Sequence, residues 1–193
     1  MRAKLSPTVL IRFTLVILLF VGLAGCVLSL QPLYGDRDLV FEPALLGTWK
    51  PADDPVSWQC TQSGERAYRI VYTDEKGRRG EFSAHLMAID GKRFLDLFPL
   101  PPPEPLNSFY TDHWIAGHTF ARVVTVGKTL ELAVLDQEWL KRFLREAPRA
   151  IRHEVVGDDI VLTAPTKELQ RFLLAHLDTA GAFRPTLSLR RAS

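Results

Sequence analysis

Beyond residue 44, hydrophobic and polar positions alternate in short runs that turn residues interrupt. Alternation with a period of two is the pattern of a strand with one covered face. Asp90-Gly91 and Gly127-Lys128 fall between successive runs and favour tight hairpin turns, because glycine tolerates a positive φ. The pattern therefore predicts an antiparallel meander, with strands over residues 45–50, 57–61, 67–73, 81–89, 92–98, 118–126, 129–135, 151–156 and 160–163.

Two later segments change to helical spacing, with apolar residues three or four positions apart. Asp136 suits the N-cap of the first helix, which Pro148 ends. Pro165 opens the second helix, over residues 166–177. The expected fold is mainly β with two helices, an α+β chain. Its antiparallel meander is expected to form a closed or half-closed barrel, with the helices packed outside.

The first 25 residues carry the regions of an export signal. Arg2, Lys4 and Arg12 are the only charged residues there, and residues 13–23 form an uncharged apolar run. One alternative is an uncleaved transmembrane anchor, because residues 13–35 contain no charge. A buried core helix is a second alternative. Both membrane interpretations keep the basic residues in the cytoplasm and export the remainder of the chain.

The apolar run ends in Leu23-Ala24-Gly25-Cys26, which matches all four positions of the bacterial lipobox, so the chain resembles a bacterial lipoprotein precursor. The resemblance implies cleavage before Cys26, a diacylglyceryl group on its sulfur and, in many bacteria, an acyl group such as palmitate on its amino group. Two or more acyl chains hold a protein stably at a membrane that it does not span. Inner-membrane lipoproteins often carry aspartate at the next position, which is Val27 here. The resemblance thus implies the periplasmic face of the outer membrane in a diderm cell, and otherwise the outer face of the cell membrane.

Composition divides the chain into four parts. Residues 1–25 have the pattern of a signal peptide, and residues 26–44, with Pro32, Gly35 and Pro43, are expected to form a lipidated N-terminus and tether. Residues 45–177 hold the β-rich domain. Residues 178–193 are expected to form a flexible basic tail, because arginines recur there among glycine and proline.

Composition also excludes several classes of protein. The 193 residues carry a net charge of +2 with 24% charged residues, which excludes a nucleic-acid binder with a basic face. A hydrophobic content of 47% is too low for a membrane protein with many spans. Two cysteines cannot form a disulfide-dense scaffold, and lipidation of Cys26 would leave Cys60 as the only free thiol.

Gly47-Thr48-Trp49 begins the first predicted strand of the domain and resembles the Gly-x-Trp of lipocalin-like barrels. A helix after the last hairpin is also similar to that family. The resemblance implies a barrel architecture, with Trp49 plugging the core, and carries over no ligand. The helix that begins at Asp136 departs from the family, because it precedes the final hairpin.

No local motif predicts catalysis, a cofactor or a metal. The five histidines form no His-Glu-x-x-His or His-x-His pair, and the sequence has no P-loop, no Gly-x-Ser-x-Gly elbow and no Cys-x-x-Cys. Cys60 is expected to be a buried small hydrophobe, and the alternatives are a reactive thiol or an intermolecular disulfide. A nucleophilic pair of Cys60 with His85 is the form that an enzyme would take.

Three polar residues interrupt apolar strand faces and are the candidate site residues. Asp96 lies among phenylalanines and leucines, Arg122 shares a face with Phe120, and His85 alternates with Met87. Buried charges need partners. We expect an Asp96–Arg122 pair that lines the barrel interior or holds the core together. The alternatives are a plain structural ion pair or side chains that face outward.

Three functions stay open on this sequence. The first is a membrane-anchored envelope lipoprotein that binds a hydrophobic small ligand or another envelope protein without catalysis. The second is an assembly factor for other envelope proteins, with Tyr110, Trp114 and the proline loop at residues 99–105 as contact elements. The third is an enzyme with a dispersed site. A closed apolar cavity would favour ligand binding, and a filled barrel with an apolar surface patch would favour a protein partner.

Overall fold

The computed structural model describes residues 26–102 and 107–192. Helix α1 spans Ser108–Thr111, α2 spans Gln137–Glu146 and α3 spans Thr166–His176, and a 3-10 turn covers Pro43–Leu45. Among the described residues, no helix is long and apolar enough to cross a membrane. The strands are β1 Leu28–Ser29, β2 Leu39–Val40, β3 Gly47–Lys50, β4 Ser57–Gly64, β5 Ala67–Thr73, β6 Arg79–Ile89, β7 Lys92–Pro99, β8 His118–Val126, β9 Thr129–Leu135, β10 His153–Val156, β11 Asp159–Leu162 and β12 Phe183–Arg191.

Eight of the strands form a closed antiparallel barrel. Neighbours from β3 to β9 pair in chain order, and β12 closes the barrel because it pairs with β9 on one side and with β3 on the other. The expectation of a mainly β chain with an antiparallel barrel and two helices is confirmed, with α1 as an additional helix of only four residues, and the barrel is consistent with a lipocalin-like architecture. Strands β5, β8 and β9 have the predicted bounds.

A small extension of the sheet leaves the barrel at the start of β8. There Thr119 pairs with Leu97 of β7 on one side and with Leu28 of β1 on the other. β1 also pairs in parallel with β11, and β10 pairs with β11 as the last strand of the extension. The first described residues of the chain thus belong to the sheet itself.

Alternation along the strands divides the buried apolar residues between the two sides of the barrel wall. In β6, Leu86 points into the barrel and Met87 points to the outer side. The inner cluster fills the barrel and includes Trp49, Tyr68, Leu86, Leu95 and Leu189. The outer cluster joins the wall to α2 and α3, and its members include Leu33, Met87, Phe94, Leu140 and Leu173.

The position of helix α2 and the burial of Trp49 agree with the predictions from the sequence. Asp136 accepts a hydrogen bond from the backbone N–H of Trp139, as an N-cap does. Trp139 and Leu140 are buried in the outer cluster. Trp49 is buried in the inner cluster, and its indole N–H donates to Leu45 O at 2.8 Å.

The predicted tether at residues 26–44, hereafter the N-terminal segment, is wrong. This segment contains β1 and β2, Val27 and Ser29 are buried, and Leu33 is inaccessible to solvent. Its backbone also bonds to the wall, because the Ala88 N–H donates to Asp38 O at 2.9 Å. Two prolines and a glycine give the segment the composition of a linker, but Val27 and Leu33 are buried in the outer cluster.

The predicted flexible tail at residues 178–193 is also wrong. β12 occupies Phe183–Arg191, and Leu189 is buried inside the barrel. The Arg191 guanidinium lies 4.4 Å from the centre of the Trp49 ring, where it covers one end of the inner cluster. Leucine alternates with polar residues in this segment as it does in a strand, but the arginines gave the segment the composition of a basic tail.

Parts of the predicted partner elements fall outside the described residues. β7 extends through Pro99, whereas residues 103–105 of the proline loop lie outside the described part, and so does the side chain of Tyr110. Trp114 is described and is exposed.

Candidate functional site

A carboxylate is buried on the outer side of the barrel wall. In β7, Leu95 and Leu97 point into the barrel, so Phe94 and Asp96 point to the outer side. Asp96 is 1% exposed. A buried charge persists only where hydrogen bonds or an opposite charge compensate for the loss of water. The partners of Asp96 therefore define the site.

Asp96 has two partners from different parts of the chain. Its Oδ2 accepts from the backbone N–H of Leu33 at 2.8 Å, and its Oδ1 lies 2.7 Å from Nδ1 of His118. Because an ionised carboxylate only accepts, Nδ1 of His118 donates in this contact. The ring of Phe98 lies 4.6 Å from the His118 ring, centre to centre, and restricts its orientation further.

His85 and Tyr34 complete the group. His85 of β6 is the register partner of Asp96, and its ring centre lies 4.5 Å from that of Tyr34. Burial lowers the pKa of His85; the charge of Asp96 opposes this shift, and His118 adds to it. Burial raises the pKa of Tyr34, and the charges of Asp96 and Asp36 raise it further. Both rings are therefore neutral at about pH 7.

The Asp96–His118 contact has the form of a general base with its orienting carboxylate. In a neutral ring that donates from Nδ1, Nε2 of His118 would carry the lone pair that could take a proton from a nucleophile or substrate. Ser29 is the register partner of His118 in β1, but its hydroxyl proton is donated to Gln31 O at 2.8 Å. Ser29 is therefore not an activated nucleophile. The contact with Asp96 orients His118, but β1 places no activated nucleophile beside the ring.

The same group joins the N-terminal segment to α3. Gln170 of α3 donates from Nε2 to Leu33 O at 2.8 Å and to Asp38 Oδ2 at 2.7 Å. The Gly35 N–H also donates to Asp38 Oδ2, and this bond lowers the pKa of Asp38; burial opposes the shift, and Gln170 and Lys167 add to it. Hydrogen bonds of Asp96, Gln170 and Asp38 thus fix the position of the N-terminal segment. We refer to four of these side chains as the polar clamp: Asp38, Asp96, His118 and Gln170.

Two of the three predicted site residues come together, and the third does not. His85 and Asp96 are register partners, whereas Arg122 has its Nη1 3.9 Å from Asp178 Oδ1. The predicted Asp96–Arg122 pair and the predicted position inside the barrel are therefore both wrong. Both faces of these strands carry covered apolar residues, so alternation could not distinguish the inner face from the outer one.

His118 is the partner of Asp96 that the sequence analysis missed. It lies four residues before Arg122 on the same face of β8, so alternation alone could have added it to the candidates. The Leu33 backbone and Gln170 carry no such signal. Their bonds join positions 63 and 137 residues apart along the chain.

The barrel wall separates Cys60 from His85, so the two cannot form a nucleophilic pair. Cys60 belongs to the inner cluster, whereas the ring of His85 lies against Tyr34 on the outer side. Burial raises the pKa of the Cys60 thiol to about 12, which keeps it protonated and unreactive. Cys60 is a buried small hydrophobe, as predicted.

The barrel interior is filled. Its cavity has a volume of about 20 Å³ and an entirely apolar lining that includes Trp49, Cys60, Ile70, Leu132 and Leu189. Ligand pockets usually have volumes of roughly 300–1,000 Å³, and a cavity of this size has room for about one water molecule. The barrel is therefore a packed core rather than a container.

A wider groove lies outside the barrel, between α2 and the β10–β11 hairpin. It is open to solvent and has a volume of about 360 Å³. β10 is the last strand of the extension in the described part of the chain, so its outer backbone edge is open. We refer to this site as the α2–β10 groove, and its walls carry Glu138, Lys141, Arg145, Val155, Asp158 and Ile160.

The described residues contain no group of three or more histidine, cysteine, aspartate or glutamate side chains that could hold a metal ion. Comparisons of the chain with family models, with curated proteins and with solved structures found no match. What the chain does must therefore be argued from its own residues.

Proposed function

We propose that this chain is a bacterial envelope lipoprotein, held at a membrane by lipid on Cys26, that acts without catalysis by binding another envelope protein on its outer surface. The proposed location is the periplasmic face of the outer membrane in a diderm cell, and otherwise the outer face of the cell membrane. The filled barrel is the observation that carries this choice, because a carrier of hydrophobic small ligands needs an interior space.

The position of Cys26 supports the anchor. Cys26 is exposed, and the next residue, Val27, is already buried in the outer cluster. A lipid on the Cys26 sulfur would therefore lie outside the packed domain. Because Val27 is part of the core, packing alone accounts for an apolar residue there. The outer-membrane location rests on the absence of aspartate at that position.

The α2–β10 groove supports binding of a protein. An open edge strand pairs readily with an extended segment of another chain. β10 exposes Val155 and Val156 at this edge. The groove walls carry charges of both signs, from Lys141 and Arg145 and from Glu138 and Asp158. An extended polypeptide with apolar and charged residues is the partner that fits these walls.

Replacement of Cys26 tests the anchor. Cys26→Ser should not incorporate a labelled fatty acid, and the chain should accumulate as unprocessed precursor or leave the membrane. Cys60→Ala is the matched control, since its buried thiol cannot accept lipid, and this variant should label like the wild type. Unchanged labelling and membrane attachment in Cys26→Ser would rule out the lipoprotein assignment.

A photo-crosslinking amino acid at Val155 tests the groove in living cells. We expect one discrete adduct with an envelope protein, because Val155 lines the groove beside the open edge. Val124, which is 49% exposed on β8, is the control position and should give no such adduct. A lipidated chain that crosslinks equally at both positions, or at neither, would contradict the groove as the binding site.

A further inference from the structure

We infer that the domain also contacts the lipid bilayer directly, through an apolar surface formed by the outward side of β1 and the loop before β8. We refer to this surface as the membrane face, and its side chains are Leu28, Leu30, Trp114 and Ile115. The inference rests on the lipidation of Cys26 proposed above. It goes beyond lipidation because it states which surface of the domain faces the membrane. A lipid on a flexible linker would allow any surface to do so.

The short distance from Cys26 to the fold restricts how the domain can lie on the membrane. Val27 is buried, and Leu28 and Ser29 are paired with β8 on one side and with β11 on the other. One residue spans at most about 3.6 Å. Acyl chains on Cys26 therefore hold the start of β1 at the lipid headgroups, and the surface next to it must meet them.

The side of β1 that presents Cys26 also presents leucines. Cys26, Leu28 and Leu30 are exposed, whereas Val27 and Ser29 between them are buried, as expected for an alternating strand. Exposed apolar side chains beside an anchor gain free energy when they enter the boundary between headgroups and acyl chains. The anchor and the leucines thus point to the same side of the domain.

The loop before β8 extends this surface. Gly117 packs against β1, since a Cβ there would lie 3.3 Å from Leu28 Cδ2. Ile115 is two residues away, which is at most about 7 Å along the chain. Ile115 is 77% exposed and Trp114 is 42% exposed. Tryptophan rings favour the headgroup region, because they combine an apolar body with an N–H donor.

The charge pattern favours lipid as the occupant over a protein. Residues 26–35 and 113–121, which contribute the two parts of the membrane face, contain no aspartate, glutamate, lysine or arginine. A bilayer can accept such a surface without charged partners. The α2–β10 groove, in contrast, carries both charges. The two surfaces therefore suit two different occupants.

Quenching of tryptophan emission by brominated lipid tests the membrane face. The full lipoprotein, purified with its acyl chains, is reconstituted into phosphatidylcholine vesicles with and without bromine on the lipid chains. Bromine should remove a component of the emission that is absent in Trp114→Phe, since Trp49 and Trp139 are buried and the half-buried Trp58 is present in both proteins. Equal quenching of the wild type and Trp114→Phe would overturn the inference.

The intact mass of the same sample distinguishes a failure of the proposed lipid anchor from a failure of the membrane face. A chain without acyl groups on Cys26 means that the proposed anchor fails. A lipidated chain whose Trp114 is not quenched means that the anchor holds and the membrane face fails.

Labelling of single added cysteines distinguishes lipid from a protein that covers the same surface. Ile115→Cys and Val124→Cys are compared with a water-soluble maleimide in vesicles; Val124 lies five residues beyond Thr119 on β8, about 17 Å away. Although Ile115 is more exposed in the domain, Ile115→Cys should react several-fold more slowly than Val124→Cys. Faster labelling of Ile115→Cys would overturn the inference. Protection that grows with protein density in the vesicle would also overturn it, because a second copy would then be the occupant.

Discussion

The two sides of the barrel wall are built in different ways. The inner cluster is apolar, apart from the bonded hydroxyl of Tyr68 and indole N–H of Trp49, and leaves a cavity of about 20 Å³. Trp58 packs against this cluster, and its buried indole N–H has no partner among the described residues. The outer side buries Ser29, Asp96 and Gln170 among its leucines and aromatics. Hydrogen bonds of Asp96 and Gln170 join the N-terminal segment to the wall and to α3. The outer side is therefore held by directional bonds as well as by packing.

This difference indicates where function can reside. An interior with almost no space and an apolar cavity lining has no means to recognise a ligand. The outer side, in contrast, sets the position of the N-terminal segment, which leads to Cys26, through the bonds to Leu33. We therefore propose that the barrel is a rigid support and that binding occurs on the surfaces outside it.

Removal of the Asp96 carboxylate should lower the free energy of unfolding more than any other single substitution on either side of the wall. Asp96→Ala deletes the acceptor for the Leu33 N–H and for His118 Nδ1, and it leaves both buried donors without that partner. A buried donor left without its partner costs about 1–3 kcal/mol, and this change affects two such donors. Urea denaturation, which gives the free energy of unfolding, is the measurement.

Asp96→Asn is the matched control for that change. An amide keeps one acceptor oxygen in place, so this variant should lose only part of the stability that Asp96→Ala loses. If Asp96→Ala were as stable as the wild type, the polar clamp would not be what holds the N-terminal segment.

A truncation in β12 should have the next largest effect, on the inner side. Leu189→Ala leaves a cavity in the filled barrel and should cost about 3 kcal/mol of unfolding free energy. The neighbouring Arg190→Ala changes an exposed side chain of the same strand and should cost less than about 0.5 kcal/mol. A flexible tail would make both variants neutral, so equal stabilities would contradict the closure of the barrel by β12.

The sequence predicted those parts of the fold that local pattern determines. The bounds of β5, β8 and β9 follow from alternation within each run, and the N-cap at Asp136 follows from one side chain. β12 and β1 were missed because their partners lie far away along the chain. Alternation around residue 187 is compatible with a strand, but it cannot indicate that β3 and β9 leave a gap that β12 closes.

The site was predictable only in part, for a related reason. Asp96 and His85 stood out because polar residues on an apolar face need an explanation. Arg122 was a reasonable partner by charge, and it lies close by, opposite Phe94 in register. The Asp96 carboxylate nevertheless accepts a hydrogen bond from the Leu33 N–H, and a sequence does not indicate which backbone N–H will be a donor.

Cys60 offers a smaller test of the inner side. Cys60→Ser keeps the size of the side chain but places a hydroxyl against an apolar lining, which should cost about 1–3 kcal/mol. Cys60→Ala removes the sulfur without adding a polar group and should be the less destabilised of the two in urea denaturation. The reverse order would show that the interior holds a polar partner or water for residue 60.

The dependence of stability on pH should show the smallest effect. The folded pKa of His85 lies below its ordinary value of 6.5, because burial disfavours the charged ring. The unfolded chain therefore binds more protons, so this contribution to stability is complete above pH 6.5 and is lost as pH falls towards the lowered value.

His85→Gln should reduce the difference between the urea midpoints at about pH 7.5 and about pH 5.5. The difference should not disappear, because burial also lowers the pKa of His176, which contributes with the same sign. An unchanged or larger difference in His85→Gln would contradict the burial of a neutral ring beside Asp96.

A titration of the folded protein with a brominated fatty acid tests most directly the claim that the barrel interior is packed and has no room for a ligand. Trp49 lines the interior cavity, and Trp114→Phe removes the exposed tryptophan of the membrane face from the signal. In Trp114→Phe, the filled barrel predicts no saturable quenching of the remaining emission. Saturable quenching at one fatty acid per chain would contradict it and return the barrel interior to the role of a ligand site.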